Sequence, residues 1–472
     1  MPKKGRKQNR ISPSHPDPQA VAAALVQEVA QRFFNTGYSG GGASTKKNYS
    51  RGWEWQGGSP VEDISKNIDV LRQRSRDLFM NSGIGRSAIT RICDNSVGVG
   101  LRLQSTPNAE MLGITAEEAS TFARKMEWEF NLWANSRDCD STGLNTFEEL
   151  QAVALLSWLQ SGDCFALLPM RDYGGPYELK IHLIEADRVS DPQNKPTGVK
   201  LDNGAELDQY GRVVAYWVNR QHPLTKDFGG DRGFDRIPVR DAATGRTNIV
   251  HMIRIERPEQ HRGVPLLAPV IENLKQLTRY GEAELMAAVV ASLFTIFVKS
   301  QTPQSPLGES LPEIDKVTTG QYDEDYHYEL GPGAVVGLGE NEDITIANPT
   351  RPNSAFEAFV KSVSREVGAA LSIPYEVLLQ AFTASYSASR AALLSFWKTA
   401  LIWRAGMVRN FCQPVFEEFA WEAVLKGRVD APGFVDDPSI RAAWLASRWH
   451  GPAMGQIDPL KEAQAAEKRM DI

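Results

Sequence analysis

The chain has 472 residues, 42% of them hydrophobic and 23% charged, with a formal net charge of -6. That length allows two or three domains and a sizeable core, and the acidic balance excludes a globally basic surface for nucleic acid while leaving local patches open. The four cysteines, Cys93, Cys139, Cys164 and Cys412, include no C-x-x-C pair, so neither a zinc site nor a disulfide framework is indicated and a reducing compartment is the default.

Residues 1–19 hold Lys3, Lys4, Arg6, Lys7 and Arg10, then Pro13, Pro16 and Pro18. This reads as a disordered basic tail, solvated or in contact with nucleic acid or an acidic partner. The apolar run 20–26 is short and is separated from the basic start by those prolines, so no signal peptide is expected. A short helix is expected over 20–34, a Gly/Ser-rich loop over 37–60, and a helix over 64–80 that Asn81-Ser82-Gly83 interrupts before it resumes over 84–96. Thr115 with Glu118 and Thr146 with Glu149 form capping boxes. The first opens a helix through Phe122, Met126, Phe130 and Trp133, and the second opens one over 147–160 that stops at Ser161-Gly162.

A β-rich region follows, with strands expected at 164–169, 179–184, 213–218 and 249–255. Leu179, Ile181 and Leu183 alternate with Lys180 and His182, the pattern of a half-exposed sheet. Pro265 and Pro269 then mark the start of a long helix. Val270, Ile271, Leu274, Leu277 and Tyr280 share one stripe, and from Leu285 to Val298 the run is apolar apart from Ser292 and Thr295. One helix over 269–298 would span roughly 40 Å at about 1.5 Å per residue, exposed at one end and buried on all sides at the other. The apolar end is too short for a membrane span. The expected architecture is a β module inserted between two helical struts. Beyond it come a polar loop over 301–329, a turn at Gly331-Pro332-Gly333, strands at 334–338 and 344–347, a helix capped by Ser354, a loop over 380–390, a longer helix over 391–425 and a polar helical tail. There is no internal repeat.

No phosphate loop, nucleophile elbow or H-E-x-x-H motif is present, so no cofactor is expected. Glu185 and Asp187 at a strand end could hold a metal, but solvated acids there are the commoner case, and no metal site is assigned. Arg254, Arg257 and Arg262 could bind phosphate or pair with Glu256 and Glu259, the preferred reading. Nothing assembles an active site, and no catalytic residue is assigned.

The order of motifs resembles the phage portal proteins of the lambda-like family. RDL at 76–78, NSVGVGLRLQS at 95–105, CDSTGLNTFEELQ at 139–151, SGDCFALL at 161–168, LIEADRVSDP at 183–192 and LDQYGRVVAYWV at 207–218 come in sequence, followed by His222-Pro223. RPEQHRGVPLLAPVIENLKQLTRYGEAELMAA at 257–288 is the most specific stretch, and NPTRPNSAFEAFV at 348–360, IPYEVL at 373–378, YSASR at 386–390 and IDPLKE at 457–462 complete the series. The resemblance implies an α+β portal fold with a helical wing, a two-helix stem, a β-containing clip and a helical crown, assembled as a ring of usually twelve copies at one vertex of a tailed-phage capsid. It implies a structural, non-enzymatic conduit for double-stranded DNA during packaging and ejection. The implied partners are the terminase large subunit, head-completion or adaptor proteins and the major capsid or scaffold protein, with no membrane, in the virion after assembly in the host cytoplasm. On this chain it divides the residues into an N-terminal tail (1–45), first wing part (46–145), stem helix (146–162), clip (163–262), long stem helix (263–300), second wing part (301–379), channel loop (380–390) and a long helix with the crown (391–472). Phe382, Thr383, Ser385, Tyr386 and Arg390 become DNA-channel candidates, or pack against neighbouring subunits. Ile271, Leu274, Leu277 and Tyr280 become stem-packing residues. The alternatives are a metal-dependent DNA-processing enzyme acting through Asp187, and a capsid or scaffold component without a channel.

Overall fold

The computed structural model describes residues 57–225, 233–289, 355–383, 385–453 and 467, and the backbone alone of 290–292, 296–300 and 342–346. The chain divides into two units, Met1–Gly58 and Ser59–Ile472. All but Gly57 and Gly58 of the first unit lie outside the described residues, and so do the expected basic tail, the 20–34 helix, the 301–329 loop, the turn at 331–333 with the strand after it, the Ser354 cap and the IDPLKE segment.

In the second unit α1 (Ile68–Asn81) and α2 (Gly83–Ser96) are separated at Ser82, whose extended backbone ends the first helix and whose hydroxyl accepts from the Gly85 amide of the second. β1 (Arg102–Ser105) leads to α3 (Ala116–Ala134), and α4 (Phe147–Ser161) follows. Both capping boxes form as expected, with Glu118 and Glu149 each returning a bond to the threonine amide. The last described strand, β11 (Ser447–His450), pairs antiparallel with β1, so the region in which a polar helical tail was expected also contributes a strand that pairs back onto residues 102–105.

The β-rich region contains two antiparallel sheets. One has the order β3 (His182–Ile184), β2 (Asp163–Leu167), β8 (Ile249–Ile253). The other runs β4 (Lys200–Asp202), β5 (Ala205–Leu207), β6 (Val213–Asn219), β7 (Phe234–Pro238). Phe165, Ile184, Val189, Tyr216, Val218 and Ile249 form a small core between them. The half-exposed alternation over 179–184 does not hold. Leu179 and Ile181 make single bridges, and Lys180 is fully buried with its ammonium donating to the Tyr177 carbonyl. The reason is α8 (Gln413–Leu425), whose Glu422 carboxylate accepts from the Glu178 and Leu179 amides. One helical turn earlier, Glu418 accepts from the Thr247 amide. Two carboxylates four residues apart on one helix face thus latch the β region to the helical core.

The long apolar stretch does not form one helix. A 3-10 turn at Ala268–Val270 leads into α5 (Ile271–Ser292), and β9 (Ile296–Ser300) pairs antiparallel with β10 (Glu342–Ile346). Ile296, Phe297 and Val298 are β-branched or aromatic and favour a strand. The apolar end of α5 is not a core either: Leu285, Met286 and Val289 are exposed. The two helices expected as a packed stem pair are not each other's main neighbours. α4 lies inside the main core against α1, α2 and β2, whereas α5 packs on α1 and on α6 (Phe356–Leu371). α7 (Tyr386–Met407), a π-helical turn at Val408–Cys412 and α8 make one long helical run whose buried side also belongs to the main core, and α9 (Pro438–Trp444) follows.

Candidate functional site

Helix α6 ends at Ser372, whose φ of 57° puts it in the left-handed region. The Ile373 amide then returns to the Gly368 carbonyl, the geometry of a helix stop. After Pro374 a single turn, Tyr375–Leu378, is pinned from α2 by the Ser87 hydroxyl donating to the Leu378 carbonyl at 2.6 Å. Past that anchor Phe382, Thr383 and Ser385 are exposed. Only part of 380–390 is a loop. Ser385 caps α7 by accepting from the Ala388 amide, so Tyr386 and Arg390 sit one turn apart at the start of a helix, with the Arg390 guanidinium 3.5 Å from the Tyr386 hydroxyl. The small residues Ser387, Ala388 and Ser389 suit either state, and the serine cap decides for helix.

The sequence through this loop and the helix after it is short of acids. From Val377 to Phe416 there are four basic residues, Arg390, Lys398, Arg404 and Arg409, and no Asp or Glu. Arg404 is used internally, donating to the Asn95, Ser96 and Pro452 carbonyls. A cleft of about 600 Å³ opens beside the loop, with Ser82, Arg86, Thr90, Arg91, Leu277 and Gln380 in its walls. Arg86 is exposed and lies over the Phe79 ring at 4.9 Å, and Arg91 pairs with Asp94 at 3.5 Å. The basic bias of 377–416 is readable in the sequence; Arg86 was not, because only folding brings it to the loop.

The stem-packing residues sit as follows. Ile271, Leu274 and Leu277 are buried, on the helix that packs against α1 and α6. Tyr280 meets the rings of Phe356 and Phe359, with centroids 5.6 and 4.8 Å away.

A second constellation joins the β region to the helices. Asp163, Arg72 and Arg262 are fully buried. One oxygen of Asp163 accepts from Arg72 at 2.8 Å and from Arg262 at 2.7 Å, and the other accepts from the Gly263 amide and faces His251 Nε2 at 3.2 Å. The arginines also donate to the Ser161, Ala186 and Val189 carbonyls, and Arg262 bonds Asn203 as well. Burial on its own would raise the Asp163 pKa, but Arg262, His251 and Arg72 outweigh it and hold the carboxyl well below its ordinary range. Burial lowers the His251 pKa, so the ring is neutral near pH 7, donates from Nε2 to Asp163 and accepts at Nδ1 from the Tyr216 hydroxyl 2.9 Å away. Arg262 is therefore committed to the fold, which removes it as a phosphate ligand. Arg257 pairs with Asp63 rather than Glu259, and Arg254 with Glu256 as expected.

Glu185, Asp187 and His222 bring their ligand atoms within 4.8 Å of one another. The Arg76 guanidinium sits on Asp187 and lies 4.0 Å from Glu185. A fixed cation already neutralises the acids where a metal would have to enter, and the donor set fits an ion cluster better than a metal centre.

The family model described as "Phage portal protein, lambda family" matches residues 46–404. The chain is 25% identical over 450 residues to the portal protein of Escherichia phage N15, covering 91% of this chain and 83% of that protein. It is 24% identical over 449 residues to portal protein B of Escherichia phage lambda, with the same shares covered. Among solved structures it is similar to a chain in the neck of a native gene transfer agent particle computed with C12 symmetry, at TM-score 0.44 and 13% identity, covering 85% of this chain and 88% of that one. The chain belongs to the lambda family of phage portal proteins.

Proposed function

We propose that copies of this chain close into a ring, of twelve by family analogy, at one vertex of a tailed-phage capsid, and that double-stranded DNA passes through its axis during packaging and ejection. The portal role follows from the family. The observation that carries the conduit reading is the exposed loop with Phe382 and Thr383, leading into the Tyr386–Arg390 helix turn within a 40-residue stretch that has no carboxylate. A wall that lets DNA slide needs few phosphate grips and no repulsion, and half-exposed aromatics with sparse cations meet that need. The role is structural rather than enzymatic. The terminase large subunit, head-completion or adaptor proteins and the major capsid or scaffold protein are its partners, met during assembly in the host cytoplasm.

The stem in this reading is α5 with α6. Three things support the pair: the Tyr280 contacts with Phe356 and Phe359, the joint wall that 264–269 and 370–372 make in one cleft, and the antiparallel ladder β9–β10 that the two helices bracket. The first two make the helices antiparallel, because the start of α5 meets the end of α6. The β-rich residues 163–262, expected as the clip, are latched to the helical core by Asp163, Glu418 and Glu422, which suits a part of the wing.

Rings from the purified chain, seen by negative-stain microscopy, are the expected result; monomers or filaments alone count against it. Tyr386→Ala with Arg390→Ala is expected to leave ring assembly intact and to reduce DNA-filled heads about tenfold in an infection complementation assay, since the lost cation is repeated in every copy. Normal packaging by that double variant refutes the loop assignment.

A further inference from the structure

The connection from α6 to α7 contains two non-glycine residues in the left-handed region, Ser372 at φ 57° and Gln380 at φ 54°. Each ends a helical turn. At the first stop the Ile373 amide returns to the Gly368 carbonyl, and at the second the Ala381 amide returns to the Glu376 carbonyl, the closure of a left-handed helix stop. Between the two stops Ile373, Val377 and Leu378 are buried. The connector 373–379 is therefore seated, and exposed chain begins only after it, at Gln380, Phe382 and Thr383.

The hold on this connector comes from α2. The Ser87 hydroxyl donates to the Leu378 carbonyl at 2.6 Å, and that carbonyl has no other partner among the described residues. Leu378 is 1% exposed, so the bond satisfies a carbonyl that the end of the turn leaves open. At its other end α2 receives α7: Arg404 donates to the Asn95 and Ser96 carbonyls, and the two helices pack along each other. One helix thus holds the entry of the channel loop through Leu378 and the helix that takes its exit, which fixes the span of residues 379–385. A second hydroxyl tether, from Thr399 to the Ser372 carbonyl at 3.1 Å, lies in the open. Water competes for it, and the half-buried Ser87 bond is the firmer of the two.

We infer that Ser87 is a positioning residue for the channel loop: its hydroxyl fixes where the loop leaves the surface of α2, and thereby the height at which Phe382 and Thr383 face DNA. This rests on the conduit reading above. The cleft of about 600 Å³ that Ser87 and Leu378 help to line sets the size of the effect. When the hydroxyl is removed, water from the cleft can reach the carbonyl, so the loss is that of one ordinary hydrogen bond. The connector loosens about fivefold and the chain stays folded.

The test uses the full chain. Ser87→Ala is expected to melt with the parent by circular dichroism and to form rings as the parent does under negative stain. Hydrogen-exchange mass spectrometry over 376–382, where the Leu379 and Ala381 amides close the turn, is expected to show opening about fivefold faster, with Ile89 and Ile92 in the buried face of α2 unchanged. DNA-filled heads in infection complementation are expected to fall at least about threefold, because every copy in the ring carries the change. Ser87→Thr, which keeps the hydroxyl, is expected to stay near the parent in both readouts. Parent-like exchange in Ser87→Ala removes the tether, and faster exchange with parent-like packaging removes its role in placing the loop. A Ser87→Thr chain as defective as Ser87→Ala, or a Ser87→Ala chain that melts early or forms no rings, makes the position a general element of the fold and overturns the inference as well. These outcomes leave the conduit reading intact. If Tyr386→Ala with Arg390→Ala packages normally, the loop itself is not the DNA surface, and the inference falls with that reading.

Discussion

Replacing Asp163 with alanine is expected to cost about 3–5 kcal/mol, enough to unfold much of the chain at 25 °C. The carboxylate is the one negative charge that Arg72 and Arg262 both contact, and all three side chains are fully buried. Removing it leaves two guanidinium groups facing each other in a site closed to water, held only by the carbonyls of residues 161, 186, 189 and 203. Burial and the neighbouring Arg262 already lower the Arg72 pKa to about 10 with Asp163 in place, and removing Asp163 takes away the strongest of the carboxylates that raise it. The asymmetry between breaking a buried ion cluster and replacing it whole gives the control. Asp163→Ala is expected to be far worse than a triple change of Arg72, Asp163 and Arg262 to apolar residues of similar volume. Chemical denaturation followed by circular dichroism measures both. A single Asp163→Ala variant within about 1 kcal/mol of the parent refutes the assigned role.

The same cluster sets an acid limit. The Asp163 pKa is depressed by folding, so its contribution is fully present above the unfolded value near 4 and is lost as pH falls from there toward the folded value. His251 is also depressed, by burial first. A group that folds neutral must charge to be released, so its contribution is present above about pH 6.5 and declines below it. Stability is therefore expected to fall in two stages on acidification, first from His251 and then from Asp163. A His251→Phe chain should lose the first stage.

This cluster was invisible in the sequence because its members are far apart in the chain. Asp163 lies 91 residues from Arg72, 99 from Arg262 and 88 from His251, and no spacing rule joins them. The capping boxes at Thr115 and Thr146 were legible because donor and acceptor are three residues apart and the geometry is local. The helix stripe through Ile271, Leu274 and Leu277 was legible for the same reason, but what covers it was not. The misreading of 296–298 as helix has a different cause: a short apolar run has no period that separates a strand from a buried helix, and the strand is decided by a partner more than forty residues away. Lys180 reads as a solvent-facing position until Glu422, from the far end of the chain, closes over the neighbouring amides. Of the channel candidates, the sequence placed Phe382, Thr383 and Ser385 in a loop correctly, and missed that Ser385 starts a helix at Tyr386.

Gly263→Ala is expected to be comparably severe, by a steric route. The β region leaves the helices at Gly162-Asp163 and returns at Arg262-Gly263, and the two crossings touch. A methyl on Gly263 would lie 1.9 Å from the Gly162 carbonyl oxygen and 2.5 Å from the Asp163 carboxylate, contacts that neither a rotamer change nor a flexible side chain can relieve. The Leu266 amide, three residues on, donates to the Leu159 carbonyl, so the returning segment has no freedom to retreat. The insult combines overpacking with displacement of the Asp163 carboxylate from its arginines, which places the cost at about 3 kcal/mol or more. The two substitutions share their damage: Gly263→Ala should cost much less in a chain already carrying Asp163→Ala, a non-additivity of about 1–3 kcal/mol. The loss should also be uneven. Hydrogen exchange at Ile249–Ile253, the strand paired with β2 beside the crossing, should accelerate more than at Ala116–Ala134, whose buried face packs in the main helical core. Equal acceleration in both elements, or strict additivity of the two substitutions, would mean that the crossing is not what seats the β region.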